Sequence, residues 1–181
     1  MTIKRTNDEL KATRPTLDEL QNIPRLPISI LVENVRSVYN VGSIFRTADG
    51  FGAEKIFITG FTAYPPREDL HKTALGAENA VPWEYISNPI KAANKVKNMG
   101  IKLALVEQTR ISKSISTIEV DFPICFIVGN EVTGVSEELS SIADIHIEIP
   151  MRGFKQSLNV SVATGIIGYE LSRKYLKNIK Q

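Results

Sequence analysis

The chain has 181 residues, 43% hydrophobic and 23% charged, with a net charge of +2 and a single cysteine. This composition fits one globular domain with a sizeable core and excludes an internal disulfide. The near balance of charge does not mark a nucleic-acid binder, so any RNA-binding argument rests on where the charges sit.

In chain order, the first 25 residues hold Lys4, Arg5, Lys11, Arg14 and Arg25 but no long apolar stretch of the kind a secretory signal needs. With no apolar run of membrane-spanning length elsewhere, the expectation is a cytoplasmic protein that meets no membrane. Thr16-Leu-Asp-Glu19 has capping-box spacing and predicts a short helix to about Ile23. Ile28–Val32 reads as a strand. Asn40 is then the expected N-cap of a helix carrying Val41, Ile44, Phe45 and Ala48 at helical spacing and ended by Gly50 and Gly52. Lys55–Thr59 is the next strand. Residues 60–82 hold Gly60, Pro65, Pro66, Gly76 and Pro82 and read as an excursion of turns. Pro89 suits a helix start, with Ile90, Ala93 and Val96 on its apolar side and Gly100 as its stop. Ile101–Val106 and Ile124–Val128 are further strands, the second holding Cys125 as a small buried residue. Ile145–Ile149 alternates strictly, which makes His146 a sheet-surface residue, and Ser157 to about Leu176 predicts a long closing helix.

Strands alternating with helices imply an α/β fold with a mostly parallel sheet flanked by helices. In such sheets ligands bind beyond the carboxyl ends of the strands. Here those ends are Glu33-Asn34, Val106-Glu107, Gly129-Asn130 and Pro150-Met151. The common nucleotide signatures are absent: no third glycine follows Gly50-Phe-Gly52, and there is no Walker A sequence. His71 and His146 lie far apart without a zinc spacing, so no metal is expected.

Three segments stand out. In Asn40-Val-Gly-Ser-Ile-Phe-Arg46 an arginine sits in a mostly apolar helix, and Asn40 and Gly42 at the helix start suggest an anion site. By spacing alone Arg46 is equally a solvated residue of an amphipathic helix. Gly129-Asn-Glu-Val-Thr-Gly134 follows a buried strand, where a glycine allows close backbone approach and Glu131 lies at the strand mouth. The same residues also suit a plain strand-to-helix turn capped by Thr133 or Ser136. Ile149–Asn159 carries Arg152 and Lys155 around Phe154, a pattern suited to RNA phosphate and base contact, or to an exposed connector.

Together and in this order, the segments resemble the three motifs of the SpoU (TrmH-like) branch of the SPOUT RNA methyltransferases. The first runs Asn34-Val-Arg-Ser-Val-Tyr-Asn-Val-Gly-Ser-Ile-Phe-Arg-Thr-Ala-Asp-Gly-Phe-Gly52. The second is Phe126-Ile-Val-Gly-Asn-Glu-Val-Thr-Gly134. The third is Ile149-Pro-Met151 with Ser157-Leu-Asn159. Lys72-Thr-Ala-Leu-Gly-Ala-Glu78 with Val81-Pro-Trp83 is similar to the family's connecting region, and the likeness covers about residues 28–175. It implies a deep C-terminal trefoil knot, a feature that base rates alone would reject, and a homodimer whose knot forms an S-adenosylmethionine pocket. It further implies a single SpoU-type domain over residues 1–181, with short helical extensions at 1–25 and 170–181.

The resemblance implies ribose 2′-O-methylation of tRNA or rRNA, with tRNA favoured because no separate RNA-binding domain precedes the motifs. The implied cofactor residues are Val106, Gly129, Ile149, Met151, Ser157 and Leu158. The implied residues for the chemical step are Arg46, Asn40, Glu131, Ser157 and Asn159. RNA contacts are expected from Arg46, Arg152, Lys155, Arg173 and Lys174, the last two in a basic end that also holds Lys177 and Lys180. Two other readings stay open on sequence alone: an RNA-binding module without catalysis, and a nucleotide-binding α/β protein of unrelated function.

Overall fold

A computed structural model describes residues 4–179, so Lys180 at the basic end lies outside the described residues. Seven parallel strands form one sheet in the order β3-β2-β1-β6-β4-β7-β5. They are β1 (Leu26–Glu33), β2 (Ala53–Thr59), β3 (Trp83–Ile86), β4 (Lys102–Val106), β5 (Lys113–Ser114), β6 (Ile124–Val128) and β7 (Ile145–Glu148). The central strands are buried on both faces, which is why they read as near-continuous apolar runs. Ile28, Ile30, Val32 and Phe126 face one helical layer. Leu31, Leu105, Cys125 and Ile127 face the other.

The first layer holds α3 (Val38–Phe51), α4 (Glu68–Ala74), α5 (Ala77–Ala80) and α8 (Val160–Asn178). The second holds α6 (Pro89–Asn98) and α7 (Glu137–Ile142). α6 follows the sequence closely: Asn88 accepts the Lys91 N–H at 2.9 Å, Pro89 occupies the first turn, and Gly100 follows with φ 76°. Ahead of the sheet, α1 (Asn7–Ala12) and α2 (Leu17–Leu20) each begin with a Thr/Glu capping box and bury no residue.

Several boundaries differ from the sequence reading. α3 starts three residues earlier than expected, because the Ser37 hydroxyl, not Asn40, caps it by accepting the Asn40 N–H. Gly50 lies inside that helix, and Gly52, at φ 74°, ends it. Gly42 is therefore not at the anion-binding start. It serves the packing of α3 on α4, since a Cβ there would fall 2.1 Å from Thr73 Oγ1 and 2.5 Å from the Leu70 carbonyl oxygen. The excursion at 60–82 contains α4 and α5, and His71 sits in α4 beside Glu78. α8 begins at Val160 with Asn159 as its cap, so Ser157 belongs to the loop before it.

The order of the last strands determines the site. β7 lies between β4 and β5, and Val106 and Lys113 both sit level with Ile147. The connection 107–112 must therefore arch across the carboxyl end of β7.

Candidate active site

Three loops converge at the carboxyl edge of the sheet around a cavity of about 570 Å³, within the size range of small-molecule sites. Residues 106–109 follow β4, residues 128–135 follow β6, and residues 148–160 follow β7. Val106, Gly129, Ile149, Met151, Ser157 and Leu158 all line the cavity. Gly129 is buried, and its position admits no side chain: a Cβ would lie 2.4 Å from the backbone of Gly134 and Val135. Across the mouth, the Gln108 side chain donates to the Gln156 carbonyl. At Gly129 the wall is backbone, which allows a ligand to approach the main chain closely.

Carboxylates and amides at the strand ends fix this backbone. Glu33, buried at the end of β1, accepts the Ser136 N–H at 2.8 Å. Glu107 accepts the Val135 N–H at 3.0 Å. Asn130 pairs with Gly134 through both backbone groups, and its side-chain oxygen accepts the Val132 and Thr133 N–H groups. Its amide also donates to the Asn34 carbonyl at 2.8 Å. The loop is therefore rigid without regular secondary structure.

Glu131 ties this loop to α3. It accepts the Arg36 N–H at 2.8 Å, the Ser37 N–H at 3.1 Å and the Asn40 side-chain amide at 2.8 Å. Partial burial acts to raise its pKa, but these donors outweigh it and hold the carboxyl below its ordinary value. The N-terminus of α3 is thus an anion site, already filled by the protein's own carboxylate. The Asn40 oxygen in turn accepts the Asn159 amide at 3.1 Å, and Asn159 caps α8 by accepting the Ser161 N–H at 2.9 Å. Glu131, Asn40 and Asn159 come from the three motifs and form one hydrogen-bonded chain, with Ser157 two residues from its end.

Arg46 is elsewhere. It is exposed on α3 and lines a shallow groove with Ser43, Thr47, Lys72 and Thr73, not the cavity. Arg152, Lys155 and Phe154 project from the loop before α8. Phe154 is 96% exposed, and the Lys155 ammonium lies 5.7 Å from its ring centre. Arg173 and Lys174 are already engaged. Arg173 makes a two-pronged pair with Glu170, and Lys174 donates to the Ile118 carbonyl at 2.9 Å. His146 is half-buried, with Nδ1 3.0 Å from the Thr109 hydroxyl.

The sequence placed Glu33, Asn34, Glu107 and Asn130 at the ligand-binding strand ends but gave them no part in holding the loops. The available signal was a polar residue closing each buried strand. A carboxylate there, next to loop N–H groups, is the cheapest way to satisfy donors that no ladder takes.

Residues 27–169 match the family model described as "SpoU rRNA Methylase family". The tRNA (guanosine(18)-2′-O)-methyltransferase of Aquifex aeolicus is 33% identical over 166 residues, 91% of this chain and 76% of the relative. The crystal structure of the Aquifex aeolicus TrmH/SpoU tRNA modifying enzyme superposes with a TM-score of 0.79 at 32% identity, covering 90% of this chain and 83% of the other. The AdoMet-bound rRNA methyltransferase from Sinorhizobium meliloti gives a TM-score of 0.76 at 27% identity, covering 87% of this chain and 60% of that one.

Proposed function

The chain belongs to the SpoU rRNA Methylase family, and from that premise we propose that it transfers a methyl group from S-adenosylmethionine to a ribose 2′-hydroxyl of RNA, with tRNA the first candidate and rRNA the second. The observation that carries this reading is the convergence of the second and third motif loops, with residues 106–109, on one cavity, to which the first motif is tied through Asn40. Its collar-like wall at Gly129 and its mixed apolar and polar lining fit an adenosine-bearing sulfonium. Gly129, Ile149 and Leu158 would hold the adenosine part, with Val106, Met151 and Ser157 around it. When bound, the cofactor supplies an activated methyl group.

The chain's own residues then have distinct tasks. The ribose oxygen would gain the methyl as the donor's S–CH3 bond breaks and S-adenosylhomocysteine leaves, the hydroxyl proton would pass to bulk water, and the alkoxide character needs a fixed positive charge. Arg46 supplies it and anchors a neighbouring phosphate; a guanidinium stays protonated and is not a base. Glu131 and Asn159 hold Asn40 in one orientation toward the cavity mouth. Ser157 orients the hydroxyl. Arg152 and Lys155 meet phosphates, and Phe154 offers a stacking face. Because Arg173 and Lys174 are engaged within the protein, they add to the local field more than to direct contacts.

Arg46 lies outside the cavity of its own chain, so the reading includes a homodimer. Leu158 just ahead of α8 and Val162, Ile166 and Tyr169 on it are exposed apolar residues running from the cavity, with Tyr39 exposed on the adjacent α3. A second copy packed there would bring a second α3, with its Arg46, toward the cavity. The arch at 107–112, with β7 leaving across it, is read as one loop of the implied trefoil knot. No described helix is long and apolar enough to cross a membrane, and a single buried thiol suits the cytoplasm.

The test incubates the full chain with methyl-labelled S-adenosylmethionine and unmodified tRNA transcripts, with rRNA in parallel, then identifies the labelled nucleoside by nuclease digestion and mass spectrometry. A 2′-O-methyl nucleoside is the expected product. Label on a base, or on no RNA, rejects the reading.

A further inference from the structure

At the carboxyl ends of β2 and the edge strand β3 lies a second hollow, of about 360 Å³, that the methyl-transfer reading leaves unused. Its walls are aromatic. Tyr64 stacks on Tyr85 with ring centres 4.3 Å apart and planes inclined by 27°. Trp83 lies 6.1 Å from Tyr64. Phe61 is nevertheless 64% exposed and Tyr64 42%. Tyr64 thus covers Tyr85 while keeping part of its own ring at the surface.

The loop that carries these rings is held firmly. Gly60, at φ 63°, leaves room for the Asn34 side chain, whose oxygen accepts the Phe61 N–H at 3.1 Å. The buried Thr62 hydroxyl accepts the Val35 N–H at 3.0 Å, and the Tyr85 hydroxyl donates to the Gly60 carbonyl at 2.8 Å. Asn34 also accepts the Asn130 amide on its own carbonyl, and Asn130 lines the cofactor cavity. One residue thus joins the aromatic hollow to the cavity, and both open at the same edge of the sheet.

We propose that this hollow is a base-stacking subsite: an unpaired nucleobase of the RNA lies on Tyr64 and Phe61 while the target ribose sits at the cavity. The proposal rests on the RNA methyl-transfer reading. Flat rings with open faces, fixed in position and accompanied by a cation, are how proteins hold unpaired bases. Arg67 at the rim supplies the cation, its side chain half exposed although paired with Asp69. Nine residues line the hollow, well short of the about 20–30 residues a side of a stable protein interface.

Trp83 is the only tryptophan in the chain and a natural reporter. An unmodified tRNA transcript titrated into the full chain should quench its fluorescence. Phe61→Ala with Tyr64→Ala should remove the quenching and weaken transcript binding about tenfold. Affinity for S-adenosylhomocysteine, by calorimetry, and the turnover at saturating RNA should stay within about twofold. Phe61→Leu with Tyr64→Leu keeps apolar bulk but no flat ring, so it should lose RNA affinity equally, and it decides the matter if the alanine pair disturbs the fold. Tyr64→Phe should bind like the wild type. Leucine variants that bind the transcript as tightly as the wild type overturn the subsite, as does a change of sedimenting mass, which would assign the hollow to contact between copies. A wild-type chain that methylates RNA while the leucine variants bind normally removes the subsite alone; a wild-type chain that methylates no RNA removes both readings.

Discussion

The cavity at the carboxyl edge and the groove around Arg46 are built on opposite plans. Around the cavity, Glu33, Glu107, Asn130 and Glu131 each hold loop or helix-start N–H groups, and Gly129 sits where no side chain fits. Around Arg46, a guanidinium stands exposed in an open groove beside Lys72. The difference teaches that the cavity is preorganised within one chain, whereas Arg46 stands exposed and, on the proposed reading, is completed by RNA and a second copy. A preformed wall of fixed dipoles binds without reorganising. An exposed cation is free to meet a phosphate brought by a partner.

Four measurements sharpen or break that contrast. The largest effect should come from Arg46→Ala, which should lower kcat by about 10²–10³-fold, the usual loss for one transition-state charge stabiliser, while S-adenosylhomocysteine affinity stays within about twofold. Loss of cofactor affinity with retained turnover would make Arg46 part of the cavity and erase the distinction. Gly129→Ala should act in reverse. Its Cβ must displace the Gly134–Val135 backbone, so calorimetry should show cofactor affinity falling about tenfold or more, with a stability loss of about 1–3 kcal/mol.

Asn159→Ala is smaller. It removes the cap of α8 and the link to Asn40, and denaturant unfolding should show a loss of about 1 kcal/mol. The smallest concerns Glu131. Its folded pKa lies below the ordinary 4.5, so its contribution to stability is complete above that value and is lost as pH falls through the lowered one. Thermal unfolding of the wild type and Glu131→Gln should therefore differ by a constant amount from pH 7 to about 5 and converge in stronger acid. A difference that does not shrink at all as the solution is acidified would mean that the carboxylate charge is not what ties the loop to α3.

Much of the architecture was legible because burial writes itself into sequence. β1, β2, β4 and β6 are apolar runs bounded by turn residues, and α6 carries its start and stop in Asn88, Pro89 and Gly100. The failures share a cause. Ser37 and Asn40 are both good caps, and the choice between them fell to Glu131, 91 residues beyond Asn40, which takes the Arg36 and Ser37 N–H groups and the Asn40 amide together. β5 has two residues and no pattern of its own; it exists because β7 offers an edge. α4 and α5 were masked by the prolines and glycines that surround them.

What the sequence determined by itself was the kind of sheet, the placement of its polar strand ends and the three motifs, because each depends on residues near one another in the chain. Tertiary structure decided that Asn40, Glu131 and Asn159 form one hydrogen-bonded chain, that Arg46 stands apart from the cavity, and that Phe61 and Tyr64 share a hollow with Tyr85. These are contacts across long sequence separations. They are set by the order in which parallel strands enter the sheet, and no local period or spacing encodes that order.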